Sequence, residues 1–377
     1  MNSSALGSLV GRPLGREEVE RAVALLLDAG VAEEEKIAFL LDLEERGATG
    51  GEAAFFAEAF RGRAVPLGFG GHWGGRPLLD CCGTGGGGLN LCNISTGTMF
   101  VLAAAGLPVV KHGNRGVSKV SGSADVLEAM GIPIRLSPEA AERSLQELGM
   151  AYLHAPDYHP AFLALGPLRK KLAAQGRKTI FHLLGPLLNP ARPMAQVVGV
   201  FSRAHLTLFE EALRLGGCQR AAVVFGTDAK GRALGELGVE GEAEIRGLAL
   251  PDGREVLAAF ARRRGYVGTR LEEALVGSAQ ESASRLRAVF QGREKGLVRA
   301  LLAANAAVGL LAGGSLASFA EALETVEELL DRGIVAERLR SAERLAPELR
   351  RASAIWASPG AGRGAPGQRE TEKGSGE

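Results

Sequence analysis

The segment Asp80-Cys-Cys-Gly-Thr-Gly-Gly-Gly-Gly-Leu-Asn90 runs from an apolar, β-prone stretch through consecutive glycines toward a helical pattern. Glycine gives up more chain entropy on folding than any other residue, so a run of it between strand and helix marks a place where backbone N–H groups must approach an anion closely. The N-terminus of the following helix adds partial positive charge there. Glycine-rich loops also mark ordinary turns, and the glycines alone do not separate the two readings. The neighbouring residues do. Asn93-Ile-Ser-Thr96 sets three hydrogen-bonding side chains at the helix opening, where they serve as caps or as ligand contacts. One helix later, Lys111-His-Gly-Asn-Arg115 ends an apolar strand, with Ser118 and Ser121-Gly-Ser123 before the next helix. Ligands of α/β sheets bind beyond the carboxyl ends of strands, so both loops are expected on one crevice, with Lys111 as point charge and the serines as donors. The expected ligand is a polyanion.

Outward from this segment, short β-prone runs alternate with helical ones. Strands are expected at 77–82, 108–112, 150–154, 195–201 and 220–225, and helices at 95–107, 123–130, 137–148 and 204–215. Before them, Val19, Ala22, Val23 and Leu26, then Ile37, Leu40 and Leu41, then Ala53, Phe56 and Phe60 fall at helical spacing. The third of these helices opens with Thr49-Gly-Gly-Glu52, the spacing of a capping box, and 61–76 reads as a glycine-rich linker. Helical segments at 159–175 and 179–188 lack strands of their own and are expected to join the N-terminal helices. Helices at 271–291, 295–311 and 316–332 close the chain's large part. The organisation expected is therefore 1–76 as a helical domain and linker, 77–357 as an α/β domain, and 358–377 as a disordered tail of glycine, proline and charge.

The 44 Lys and Arg nearly balance the 43 Asp and Glu, which supplies no bulk attraction to nucleic acid or anionic membrane, so anion binding has to be local. Apolar stretches such as 101–107 and 301–311 fall short of the roughly 20 residues of a membrane span. Residues 1–12 lack the pattern of a secretory signal, and the protein is expected to be cytoplasmic. Cys81, Cys82, Cys92 and Cys218 have no metal-ligand spacing and read as buried thiols.

Four motifs together resemble the anthranilate phosphoribosyltransferase family: Gly83-Thr-Gly-Gly86; Asn93-Ile-Ser-Thr96; Lys111-His-Gly-Asn-Arg115 with Ser121-Gly-Ser-Ala-Asp125; and Leu184-Gly-Pro-Leu-Leu-Asn-Pro190. The resemblance runs from the N-terminal helices to about Leu345. It implies the two-domain fold shared with nucleoside phosphorylases, a small all-α domain beside a central mixed sheet flanked by helices. It also implies a homodimer contacting through the helical part, phosphoribosyl pyrophosphate as donor, an aromatic amine such as anthranilate as acceptor, and Mg²⁺. By the same resemblance Gly83, Gly86, Asn93, Ser95, Thr96, Lys111 and Ser123 hold the donor, and Thr84, Gly87 and Ser118 of the same loops are expected beside them. Gly83, His112, Asn114, Arg169 and Gly185 meet the acceptor, with Arg169 pairing its carboxylate. Lys111, His112 and Asn114 stand nearest the reaction, and Ser95 and Glu236 face the metal.

Three positions depart from the family pattern. Gly87 stands where the glycine loop carries Asp, Gly235-Glu236 where it carries Asp-Glu, and His182 where it carries Asn. A carboxylate restored at 235 is expected to tighten metal-dependent donor binding, and a short insertion near 173–175 touches the acceptor side. The competing readings are another amine or nitrogenous-ring acceptor, a nucleoside phosphorylase, and a catalytically silent homologue. The last could bind nucleic acid through a local basic groove of Arg169-Lys-Lys171 and Arg177-Lys178, though the balanced charge disfavours it.

Overall fold

The computed structural model describes residues 5–85, 88–116, 120–250, 270–354 and 356. Gly86, Gly87, Ser118 and the expected tail at 358–377 lie outside the described residues.

Three helices open the chain: α1 (Arg16–Leu27), α2 (Glu33–Arg46) and α3 (Gly50–Arg61). Within the stretch read as a linker, β1 (His72–Trp73) and β2 (Arg76–Pro77) form a small antiparallel hairpin; the glycines there serve its turn, with Gly74 and Gly75 both at positive φ. The alternating part follows as β3 (Leu79–Gly83), α4 (Ile94–Ala104), β4 (Val109–Gly113), α5 (Ser123–Ala129), α6 (Pro138–Leu148) and β5 (Met150–His154). The segment expected as one helix at 159–175 is divided. After the single turn α7 (Ala155–Tyr158) come α8 (Pro160–Ala164) and α9 (Gly166–Ala174), because Pro160 and Pro167 each fit a first helical turn and not a helix interior. The segment at 179–188 shrinks likewise to α10 (Phe181–Leu184) and a tight turn Gly185–Leu187. Then come β6 (Ala195–Val200), α11 (His205–Leu215), β7 (Arg220–Gly226) and an edge strand not expected from the sequence, β8 (Ala243–Leu248). The expected helix at 271–291 is a turn at Leu271–Ala274 followed by α12 (Ala279–Phe290), whose N-cap is Ser278. The chain closes with α13 (Leu297–Ala312), α14 (Phe319–Asp331) and α15 (Ile334–Ala352).

One six-stranded sheet, ordered β5-β4-β3-β6-β7-β8, organises these elements. The first five strands are parallel and β8 runs antiparallel to β7. It is the α/β sheet that the sequence pattern predicts, and it is mixed, as the family resemblance implies. Register aligns Gly83 with Gly199 and Gly113 with His154, so the carboxyl ends of four strands finish along one edge. Side chains alternate across the sheet as the pleat requires. Ala221, Val223 and Phe225 of β7 join a hydrophobic cluster with the N-terminal helices, whereas Ala222 and Val224 join the cluster of α4, α13 and α15.

The N-terminal helices thus find a covering surface within the chain. Helix α3 lies along α11 so closely that a Cβ on Gly50 would stand 2.7 Å from the carbonyl oxygen of Leu208. Leu168, Leu172, Phe181 and Leu184 belong to the same cluster as Val19, Leu40 and Phe56.

Helix α3 is fixed at its start by Glu52, which has no exposed surface. The Thr49 hydroxyl accepts the Glu52 N–H at 3.1 Å, and the Glu52 carboxylate accepts the N–H groups of Thr49 and Leu14, each at 3.0 Å. The Arg46 guanidinium completes the set, with Nη1 donating to Oε2 at 3.0 Å. We expect Glu52→Ala to destabilise the fold by roughly 3–5 kcal/mol, because it leaves the buried Leu14 N–H unpaired and a largely buried guanidinium with only Asp42 at 3.3 Å; urea unfolding measures it, and a change below 1 kcal/mol would contradict this account.

Candidate active site

The carboxyl ends of β3 and β4 carry the loops singled out in the sequence. Gly83 and Gly85 are exposed, and Gly85 and Gly88 hold φ near +66° and +70°, conformations that glycine adopts without strain. Thr84 anchors the loop by donating its N–H to the Gly199 carbonyl at 2.9 Å. Across the crevice, Gly113 and Gly122 let the second loop close on α5: a Cβ on Gly113 would meet the Ser123 hydroxyl at 2.2 Å, and one on Gly122 the Asn114 carbonyl at 2.4 Å. Asn114 itself is exposed. Asp125 accepts the N–H groups of Gly116 and Gly122, each at 2.8 Å, and holds this loop from inside.

The two loops are joined through Asn93, whose Oδ1 accepts the hydroxyls of Ser121 at 3.0 Å and Ser282 at 2.9 Å. Ser95 lies half-buried, and its hydroxyl accepts from the Lys111 ammonium at 3.3 Å. Lys111 is 2% exposed and also donates to the Cys81 carbonyl, so the point charge sits in the floor of the crevice. Burial works against this ammonium, yet neighbouring groups, Asp80 and Glu236 among them, hold its pKa above the ordinary value. Ser123 points to Tyr152, with hydroxyls 3.0 Å apart. Thr96 turns inward: it has no exposed surface, and its Oγ1 is enclosed without a hydrogen-bond partner among the described residues. It stands in the wall of the crevice and not on its surface.

The residues expected at the acceptor gather on the other side. His112 is buried, with the Gly185 backbone beside its ring, which brings the fourth motif against the third. Its ring meets that of His159 edge-on at 5.1 Å, His159 meets Phe162 at 5.9 Å, and Phe162 meets Phe181 at 5.7 Å. The exposed Arg169 guanidinium lies over Phe162 and Phe181, at 5.1 and 5.5 Å from their centres. A row of rings therefore leads from His112 to Arg169. His182 is exposed, with Nδ1 3.2 Å from the Thr179 carbonyl.

Burial keeps His112 far below the ordinary imidazole range and His159 near 4, so both are neutral at physiological pH. Beside them His154 places Nδ1 2.8 Å from the Asp157 carboxylate, which Arg135 grips with two nitrogens. The sequence reading passed over His154, His159 and Phe162. A His-Pro pair after a strand was the available signal, and neither spacing nor composition distinguishes such a pair from a core histidine. It also passed over Asp80 and Asn189, although both lie in quoted motifs. Asp80 is fully buried and accepts the Asn189 Nδ2–H at 2.9 Å and the His112 N–H at 3.4 Å.

For a divalent metal the available donors are hard oxygens, the Glu236 carboxylate and the Ser95 hydroxyl, and among the described residues no three His, Cys, Asp or Glu side chains converge. Such a sparse oxygen set fits Mg²⁺, which keeps several waters and takes further ligands from substrate phosphates. It does not fit a closed structural zinc site. A carboxylate at 235 requires the Phe201 ring to move and a backbone conformation that side chains other than glycine rarely adopt, which stands against the sequence-based expectation. Gly235 holds φ near +70°, and a Cβ there would lie 2.3 Å from the Phe201 ring. Of the cations of the expected basic groove, Lys171 pairs with Glu33 and Arg177 with Glu44 and Glu45 of α2. The thiols are inert: burial pushes Cys81 up to about 12 and Cys92 to about 11.

Residues 75–336 match the model of the glycosyl transferase family a/b domain. The anthranilate phosphoribosyltransferase of Aeropyrum pernix is 39% identical over 89% of this chain and 93% of its own length. This chain belongs to the anthranilate phosphoribosyltransferase family. The family enzyme of Sphingopyxis alaskensis is 36% identical over 85% of this chain and 92% of its own. Among solved structures, the family enzyme from Thermus thermophilus superposes with a TM-score of 0.76 at 35% identity, covering 90% of this chain and 97% of that one. The yeast family enzyme, solved in complex with phosphoribosyl pyrophosphate and Mg, shares the fold with a TM-score of 0.70 at 20% identity, covering 88% and 92%.

Burial raises the Asp80 carboxyl to about 6, against the pull of Lys111 and Asn189. A carboxyl raised on folding contributes stability that is full below its ordinary pKa and is lost as pH rises through the folded value. We therefore expect this contribution to fade between about pH 4 and 6. Asp80→Asn, which keeps an acceptor for Asn189, should flatten the pH dependence of the urea midpoint over that window; an unchanged slope would contradict it.

Proposed function

We propose that this pentosyltransferase moves the phosphoribosyl group of phosphoribosyl pyrophosphate onto the amino group of anthranilate and releases pyrophosphate, a step of tryptophan biosynthesis. The observation that carries the reading is the juxtaposition of two unlike half-sites on one crevice, an anion cradle built on Lys111 and the glycine and serine loops, and a row of rings from His112 to Arg169. Gly83, Thr84, Asn93, Ser95, Lys111 and Ser123 line or brace the donor side, with Gly86 assigned to it by resemblance and Gly87 and Ser118 by their place in the two loops. The acceptor lies over His112 and Asn114, between Gly185 and Arg169, whose guanidinium pairs its carboxylate. Ser95 and Glu236 would hold Mg²⁺, which supplies charge neutralisation at the leaving pyrophosphate.

The bond from the anomeric carbon to pyrophosphate oxygen breaks, leaving positive charge on the sugar. The amine nitrogen then forms the new bond and afterwards sheds its proton. Lys111 and the loop N–H groups stabilise the departing negative charge from fixed positions, which removes the cost of reorganising solvent. Arg169 and His112 hold the acceptor so that its weakly nucleophilic nitrogen faces the anomeric carbon. Neutral His112 does not repel the cationic sugar, and its buried ring excludes competing water.

We also propose that 1–76 and the helices at 159–190 act as one helical unit beside the α/β domain, that two copies pair through it, and that the enzyme works in the cytoplasm. Among the described residues no helix is long and apolar enough to cross a membrane. Light scattering at micromolar concentration should give twice the chain mass of 39.3 kDa, and a single-chain mass would contradict pairing.

Purified protein with phosphoribosyl pyrophosphate, Mg²⁺ and anthranilate should consume anthranilate fluorescence and release pyrophosphate; no loss of fluorescence with anthranilate as sole acceptor would overturn the assignment. Arg169→Ala should weaken anthranilate binding by roughly 1.5–3 kcal/mol, the worth of a charged hydrogen-bonded contact. Donor binding should hardly change, and equal weakening of both substrates would reject the placement.

A further inference from the structure

We infer that Asn305, on the buried helix α13, is a positioning residue that holds the Glu236 carboxylate over the donor cradle, with the Phe201–Gly235 contact as its counterpart on the other side of the loop. The inference rests on the reading of Glu236 as the acid of the donor's metal.

Glu236 lies between β7 and β8, in a loop pressed onto the carboxyl ends of two strands. A Cβ on Gly199 would stand 1.9 Å from the Gly235 carbonyl oxygen, and one on Gly226 would stand 2.0 Å from the Gly238 nitrogen and 2.5 Å from the Glu236 carbonyl. The backbone at 235–238 thus rests directly on the strands, with no side chain between. From beneath, Asn305 takes both polar groups of the next residue. Its Oδ1 accepts the Leu237 N–H at 2.9 Å and its Nδ2 donates to the Leu237 carbonyl at 3.1 Å. A further bond from Nδ2 to the Leu301 carbonyl at 2.8 Å fixes the amide on its own helix.

Asn305 is 3% exposed and is surrounded on its helix by alanine and leucine. A carboxamide is the smallest side chain that supplies one acceptor and one donor in a plane, as the backbone of a single residue requires. On the other flank, Gly235 holds φ near +70° with the Phe201 ring against its Cα. One residue, Glu236, separates the two fixed points, so its backbone has little freedom. The loop stands beside the donor cradle itself, since a Cβ on Gly83 would lie 3.5 Å from the Gly235 carbonyl oxygen, one residue before Glu236. With a single carboxylate available, metal affinity depends on that carboxylate being held in place before the donor arrives.

Titration calorimetry of phosphoribosyl pyrophosphate, with Mg²⁺ and with excess chelator, tests this in three variants. Asn305→Asp keeps the acceptor for Leu237 N–H and loses the donor. We expect it to weaken metal-chelated donor binding about tenfold, within the range usual for partners of metal ligands. Metal-free donor binding and the KM for anthranilate should stay within about twofold, a split that simple loosening of the fold does not produce. Phe201→Leu, which leaves the Leu237 bonds intact, should give the same selective loss and carries the test if Asn305→Asp does not fold. Glu236→Gln reports on the underlying reading: if Mg²⁺ dependence survives it, Glu236 is not the metal's acid and that reading fails. If Glu236→Gln abolishes the Mg²⁺ dependence while Asn305→Asp and Phe201→Leu leave it intact, the positioning role is overturned and the reading of Glu236 stands.

Discussion

The crevice depends on a carboxylate with no access to water. Asp80, in the middle strand of the site, receives the backbone N–H of His112 and the amide of Asn189, and the same amide also reaches the Val110 carbonyl at 2.7 Å. Three chain segments far apart in sequence are thereby held in one arrangement. A buried charge of this kind is unfavourable unless its neighbours satisfy it, and this one is satisfied by the groups that must be placed, together with the nearby Lys111 ammonium. Loops of glycine and serine could not hold a shape unaided. The rigid part of the site is the sheet edge beneath them.

The alternation of strand and helix was legible because the strands are short apolar runs and the helices carry apolar residues at their own period. What escaped is equally physical. Edge strand β8 is half-buried and carries Glu244 and Arg246, so no apolar run announces it. Helices α8 and α9 were read as one because the apolar spacing continues across Gly166 and Pro167, which divide them locally. The hairpin of β1 and β2 hides among glycines that also suit a linker.

For the site, the donor loops were legible because phosphate binding demands glycine and small hydroxyl residues at strand ends. The acceptor side was legible only by resemblance: stacked rings and buried imidazoles are written in the same letters as an ordinary core. Thr96 shows the limit of motif reading, since a residue inside a recognised motif can serve the wall and not the ligand. Gly235 shows another. In sequence it reads as a lost acid, whereas in the fold the space beside it is filled by Phe201, so the two positions have to be understood together.

The three buried histidines leave polarity unspent behind the row of rings. The Nε2 atoms of His112, His154 and His159 are enclosed without a partner among the described residues, and a buried polar nitrogen without a partner costs free energy. What holds this end of the site is ring against ring, with His112 and His159 centred 5.1 Å apart and His159 and Phe162 5.9 Å apart. Carbon in place of nitrogen at those Nε2 positions forfeits no bond, so the stack behaves as an apolar wall written in polar residues.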